Sequence, residues 1–199
     1  MTTCKKIAAG IVRNCDDKLV VGLEDVAMFI NHEDIDFDTS TFNSTNPTVI
    51  ETIVLKTASP TLSGYKIEGY NYSHEHEANF VRQRFQNGWS HSFLFRIFDN
   101  TPVTKLFLQN IEDARFVVII KNRYHNRNGD NPGDAKFEVL GWKHGLRITE
   151  GSRNPQDEET KGAWVLTAAS DESNPEHDAP YAFFNTDYAA TEAAFDAFE

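Results

Sequence analysis

Two histidines in His74-Glu75-His76-Glu77 are the residues whose spacing first suggests chemistry. On a strand, residues two apart share a face, so His74 and His76 are placed to reach one metal ion. A third ligand would have to come from a residue such as His91 or His125, and sequence does not order them. The pair therefore reads as ordinary strand histidines, and no metal is expected. Asp34-x-Asp36-x-Asp38 opens like a calcium loop but lacks the following glycine and the distal glutamate. Ser90 and Ser92 flank His91 without a Gly-x-Ser-x-Gly elbow. Cys4 and Cys15 have no neighbouring basic site to make a thiolate. There is no phosphate-cradling glycine loop. Trp89, Trp142 and Trp164 are the rings for a sugar platform, yet each lies in a strand pattern that favours core packing. No catalytic residue and no cofactor is expected, and the chain reads as a non-enzyme.

The elements that would position such residues are clearer. Trp89, His91, Phe93, Phe95 and Ile97 alternate with Ser90, Ser92, Leu94 and Arg96, the period-2 pattern of a strand with one buried face. Thr101 suits an N-cap and Pro102 the first helical position. Val103, Leu106, Phe107, Asn110 and Ile111 follow at helical spacing, which predicts a helix over Thr101–Asp113 with these residues inward. Phe116 to Ile120 reads as a strand covered on both faces. Earlier, Leu19–Leu23 and Val26–Ile30 predict one or two strands, and Val49–Lys56 another. His32–Thr48 reads as a long acidic loop. Tyr65–Glu77 predicts one long strand, and Asn87-Gly88 a hairpin turn. Asn122–Asp134 reads as an exposed hairpin loop. Phe137–Trp142, Leu146–Glu150 and Ala163–Ala169 are the last strands, with a tight turn at Lys143-His144-Gly145. A C-terminal helix is capped near Thr186. The fold class is mainly β: an antiparallel sandwich or barrel with one internal flanking helix and a C-terminal helix. Residues 1–170 form the sandwich; 171–199 are an acidic loop and helix extending the same domain.

Charge is unevenly placed. Of 199 residues with a net charge of −11, residues 150–199 hold 12 of the 30 acids but only Arg153 and Lys161 of the 19 bases. Such a region disfavours stable nucleic-acid binding, which needs basic stripes to release counterions. No apolar run approaches the ~18 residues of a membrane helix. Lys5 and Lys6 precede an apolar patch too short for a secretory signal. Synthesis in the cytosol is expected, with Cys4 and Cys15 as free thiols.

The element order resembles the tail tube proteins of long-tailed bacteriophages, particularly the roughly 200-residue versions from phages and prophages of Bacteroidetes-type bacteria. Cys4-Lys5-Lys6-Ile7-Ala8-Ala9-Gly10-Ile11 is similar to the starts of such proteins, and Phe137–Gly141 through Gly162–Thr167 to their closing stretch. The resemblance implies a virion structural protein, located in the tail and assembled in the host cytoplasm. Six copies would form a ring whose inner sheet joins into a barrel. Rings would stack with other tail proteins into a tube that DNA crosses without specific binding. It also implies a loop reaching the next ring, for which His32–Thr48 is the candidate through Glu33, Asp34, Asp36, Asp38 and Phe42. Glu68, Glu75, Glu138 and Glu150 are the candidate acidic lining of the channel. The alternatives are another tail or connector protein, or a carbohydrate-binding β-sandwich module. A cupin-like metal enzyme is disfavoured: His74-x-His76 is similar to the cupin pair, but Phe80 or Val81 stands where that family has its glutamate.

Overall fold

The computed structural model describes residues 10–11, 19–58, 61–83, 87–127, 131–171 and 173–199. Cys4 and Cys15 lie outside the described residues. Eleven strands and two helices follow one another in the order β1 (Leu23–Asn31), β2 (Thr41–Phe42), β3 (Val49–Thr52), β4 (Tyr65–Glu68), β5 (Glu75–Arg82), β6 (Asn87–Ile97), α1 (Pro102–Glu112), β7 (Phe116–Asn122), β8 (Phe137–Leu140), β9 (Arg147–Arg153), β10 (Trp164–Ala169), β11 (Tyr181–Phe183) and α2 (Tyr188–Asp196). They form a seven-stranded sheet, β2-β3-β11-β8-β7-β1-β4, and a four-stranded sheet, β5-β6-β10-β9. Among the described residues only the β11–β3 pair is parallel. The chain is a mainly β sandwich with two helices, as its patterning predicts.

The core between the sheets is aromatic. Phe29 of β1 packs within 5.0 Å of both Phe95 of β6 and Phe116 of β7, measured between ring centres. Leu140, Leu166 and Ala168 complete this layer. The larger sheet is buried on its second face as well. There Met28, Ile30, Val117, Ile119, Phe137 and Val139 meet Phe195 and Phe198 at the C-terminus. That double burial explains why Phe116–Lys121 is a continuous buried run rather than an alternating one. Residues 171–199, expected as an extension, supply β11 inside the larger sheet and α2 over its second face. Lys121 ties α2 down, its ammonium 4.5 Å from the centre of the Phe195 ring and 3.5 Å from Glu192.

Helix α1 forms where its caps predict. Thr101 accepts a hydrogen bond from the Thr104 amide, and Pro102 opens the first turn. Its inward face is rotated by one residue from the expected one. Thr104 and Ile111 are buried and Phe107 is half-buried, whereas Val103 and Leu106 face solvent. The cause is Thr104, whose hydroxyl donates to Asp99 and so turns toward the strand end.

Three other expectations are corrected. Tyr65–Glu77 is not one strand: Asn71 and Tyr72 adopt positive φ, and the chain crosses there from β4 in one sheet to β5 in the other. Asn87-Gly88 is not a turn but the start of β6, with Val81 opposite Gly88. A side chain at Gly88 would collide with the Glu176 carbonyl, which lies 2.5 Å from where its Cβ would stand. His32–Thr48 is not an open loop. His32–Asp34 form a 3-10 turn, Ile35 bridges Leu55, and β2 pairs with β3. Of the early strands, Leu19–Val21 lie outside any strand and β1 is a single nine-residue element.

Candidate functional site: the open face of the four-stranded sheet

Among the described residues the small sheet is covered on one face only. On β6, His91, Phe93 and Phe95 point into the sandwich, so Ser90, Ser92, Leu94 and Arg96 point out. Pairing then carries each outward residue across the sheet. Glu75 stands opposite Leu94, Leu94 opposite Thr167, and Thr167 opposite Glu150. These four residues make one row on the outer face, with an acid at each end. The next row reads Glu77, Ser92, Ala169, Arg147, and the row on the other side Arg96, Val165, Ser152. The inner strands contribute Ser92, Leu94, Val165, Thr167, Ala169 and the cation Arg96, and the edge strands contribute Glu75, Glu77, Glu150 and Arg147. Arg96 donates to Glu75 at 3.2 Å.

The structure separates the four acids expected to share a surface. Glu75 and Glu150 lie in one row, about 14 Å apart if three strand spacings separate them. Glu68 belongs to β4, at the edge of the other sheet, where Lys66 pairs with it at 3.2 Å. Glu138 faces the space between the sheets: it accepts from Asn122 at 2.8 Å and lies 3.8 Å from His76 Nε2. Only two of the four therefore occupy the open face. Ser92, Leu94 and Thr167 form its centre and were missed as site residues, although the outward half of the β6 alternation already contained two of them.

The expected loop residues are held against their own subunit. Phe42 packs on Trp142 and Tyr181 at 6.0 and 5.4 Å. Asp36 accepts from the amides of Asp38 and Thr39, and its bonds to Thr39 hold its carboxyl below the usual range. Asp34 accepts from Asn31 at 2.8 Å. Glu33 and Asp38 are exposed.

The histidines do not converge. His74 is buried edge-on against Phe93 at 5.4 Å, with neither ring nitrogen hydrogen-bonded. His76 Nδ1 lies 3.1 Å from the Ser92 carbonyl. His91 accepts from the Gly141 amide at Nδ1, which leaves Nε2–H to donate to the Asp178 carbonyl at 3.2 Å. Burial pulls both His74 and His91 down to about 4, so both are neutral at neutral pH. Among the described residues no three His, Cys, Asp or Glu side chains stand together as metal ligands. The tryptophans make no platform. Trp142 is core, Trp164 lies half-buried beside Arg153, and Trp89 sits edge-on to Phe80.

The open face of the small sheet is bounded by two edge strands. Its two edges, β5 and β9, have no strand beyond them among the described residues. Each presents a row of backbone donors and acceptors that another strand can use. The fold and this face together define a β-sandwich with one open, edge-exposed sheet. No protein-family profile matches the chain, and no curated protein or solved structure matches it either. Among the described residues no helix is long and apolar enough to cross a membrane.

Proposed function

We propose that this chain is a virion structural protein, the subunit of a phage tail tube built from stacked rings. The observation that carries the reading is the four-stranded sheet with one bare face and two open edges. Joining β5 of one copy to β9 of the next removes both edges and closes the sheets into a continuous barrel. The bare faces then line the channel. Glu75 is partly neutralised by Arg96, so Glu77 and Glu150 carry most of the lining's negative charge. Hydroxyl and apolar side chains lie between them. The two cations of these rows, Arg96 and Arg147, each have an acid near them, Glu75 and Asp171, which weakens their hold on DNA. The sequence resemblance to tail tube proteins supports the same reading, including hexameric rings.

Negative-stain microscopy and sedimentation of the purified chain test it. Closed rings or tubes are expected. Proline is placed at Gly151 and, separately, at Ser152. Successive amides of a strand alternate in direction, so one of the two variants removes an outward N–H alone. That variant should keep its fold and lose its rings. A chain that remains monomeric at every concentration sinks the proposal, and a monomer that binds sugars returns the carbohydrate-binding reading.

A further inference from the structure

The two ends of the sandwich carry groups of opposite charge. At one end the β9–β10 hairpin projects residues 154–162. Asp157 is absorbed within this turn, accepting from Thr160 and the Glu159 amide. Glu158 and Glu159 are exposed and make no ion pair among the described residues. At the other end is a cleft of about 760 Å³ at the C-terminus of α1, walled by Phe107, Ile111 and Phe116 and lined also by Arg115 and Arg147.

The backbone forces these arginines together. Phe116 and Leu146 exchange both hydrogen bonds of an antiparallel bridge, at 3.0 and 2.7 Å. Arg115 and Arg147 are one step out on either segment, which places them opposite one another. Like charges in that position repel. Arg115 is also close enough to His32 to help depress its basicity. Glu33 and Asp113 line the cleft as well. Asp171 is near enough to Arg147 for that charge to help lower its carboxyl, after its bonds to Ser173. Among the described residues none of the three forms an ion pair with either arginine. Glu33 is already beside Lys56, whose ammonium donates to the Glu33 carbonyl at 2.6 Å. A cleft with an apolar wall and two opposed guanidinium groups fits an acidic loop.

The cleft and the hairpin lie at opposite ends of one strand. Arg147 begins β9 and Arg153 ends it, a span of about 20 Å at the rise of a strand. Helix α1 runs alongside in the opposite direction, leaving β6 near the hairpin end and reaching Arg115 at the cleft end. Two complementary patches at opposite ends make a head-to-tail contact, which propagates instead of closing on itself.

We infer that the cleft receives the Glu158-Glu159 hairpin of a second copy of this chain. The inference rests on the ring reading and gives that assembly its axial contact. It replaces the His32–Thr48 segment, which is folded onto its own subunit. The contact is electrostatic, so it weakens as salt rises.

A charge swap tests it. Glu158→Lys with Glu159→Lys, and separately Arg115→Glu with Arg147→Glu, should each weaken axial association about tenfold or more at low salt. An equimolar mixture of the two variants should restore it as alternating copies. All four side chains are exposed, and thermal melts check that each variant folds. Sedimentation velocity reads the size and microscopy the form. Single-sided variants that stack like the wild type overturn the inference, and so does a mixture that fails to recover. Wild-type rings that never stack overturn it while the ring reading stands. Linear chains without rings, lost and recovered by the swap, support it and sink the ring reading.

Discussion

The two sheets of this sandwich solve burial in different ways. In the seven-stranded sheet, β7 buries six residues in succession. In the four-stranded sheet, β9 has two half-buried residues and five exposed ones. The larger sheet has the facing sheet on one side and α2 with the 32–42 segment on the other. Among the described residues the smaller sheet has nothing on its outer face and no strand beyond either edge. The contrast teaches where stability and where association reside. Apolar area removed from water holds the first sheet at roughly 25 cal/mol per Å², whereas the second keeps its unused hydrogen-bonding groups at the surface.

Substitutions on the two sheets should therefore differ most in stability. Phe137→Ala removes a fully buried ring that meets Phe195 at 5.4 Å and Phe183 at 6.3 Å. It should cost about 3–5 kcal/mol, measured by urea unfolding. A cost below about 1 kcal/mol would mean that the second face of the large sheet is not a core.

Acid should act on the layer between the sheets. His74 and His91 are held near 4 by burial, below the 6.5 of a free imidazole. Above pH 6.5 both folded and unfolded chains carry them neutral, and their contribution is intact. As the pH falls from 6.5 toward 4, the unfolded chain takes up protons that the fold refuses. Stability then drops by about 1.4 kcal/mol per pH unit for each histidine. His74→Leu should remove that residue's part of the slope. It should also raise stability at neutral pH, because neither ring nitrogen of His74 is satisfied. An unchanged slope would refute the burial of His74.

The α1 cap sharpens the comparison at its margin. Thr101→Ala should cost about 1 kcal/mol in a thermal melt, since one amide loses its acceptor. Least should happen on the open face. Glu150→Gln should change stability by under about 0.5 kcal/mol. A larger loss would mean that this face is covered in the isolated chain.

Much of this division was legible in the residues. The β6 alternation, the unbroken Phe116–Ile120 run and the Thr101-Pro102 cap each encode one local environment, and each element forms there. The sites of failure are tertiary. The alternation through Tyr65–Glu77 continues across Asn71 and Tyr72, so nothing local announces the crossing between sheets. Three-residue β11 is too short to carry a period, and its parallel partner lies far upstream. Thr104 displaces Leu106 from the inner face of α1 through a bond to Asp99, which hydropathy does not register. The open face depends on register across four strands. Glu75 and Glu150 were identifiable as strand acids, but their common row with Leu94 and Thr167, and the exclusion of Glu68 and Glu138, follow only from pairing.

The parallel pairing of β11 with β3 has a consequence for how the chain reaches this state. Ala182 lies opposite Val49 and Phe183 opposite Ile50. The ribosome must therefore deliver residue 183 before β3 can join β8 through β11. At about 5–20 residues per second, the 130-odd residues between the two strands take roughly 7–26 seconds to synthesise. Through that interval β3 stays an unsealed edge, and β8 becomes a second one once residues 137–140 are made. The last contacts are among the most distant in sequence, which slows folding. Strand β11 thus acts as a kinetic gate: a chain interrupted before residue 183 lacks the piece that seals its larger sheet.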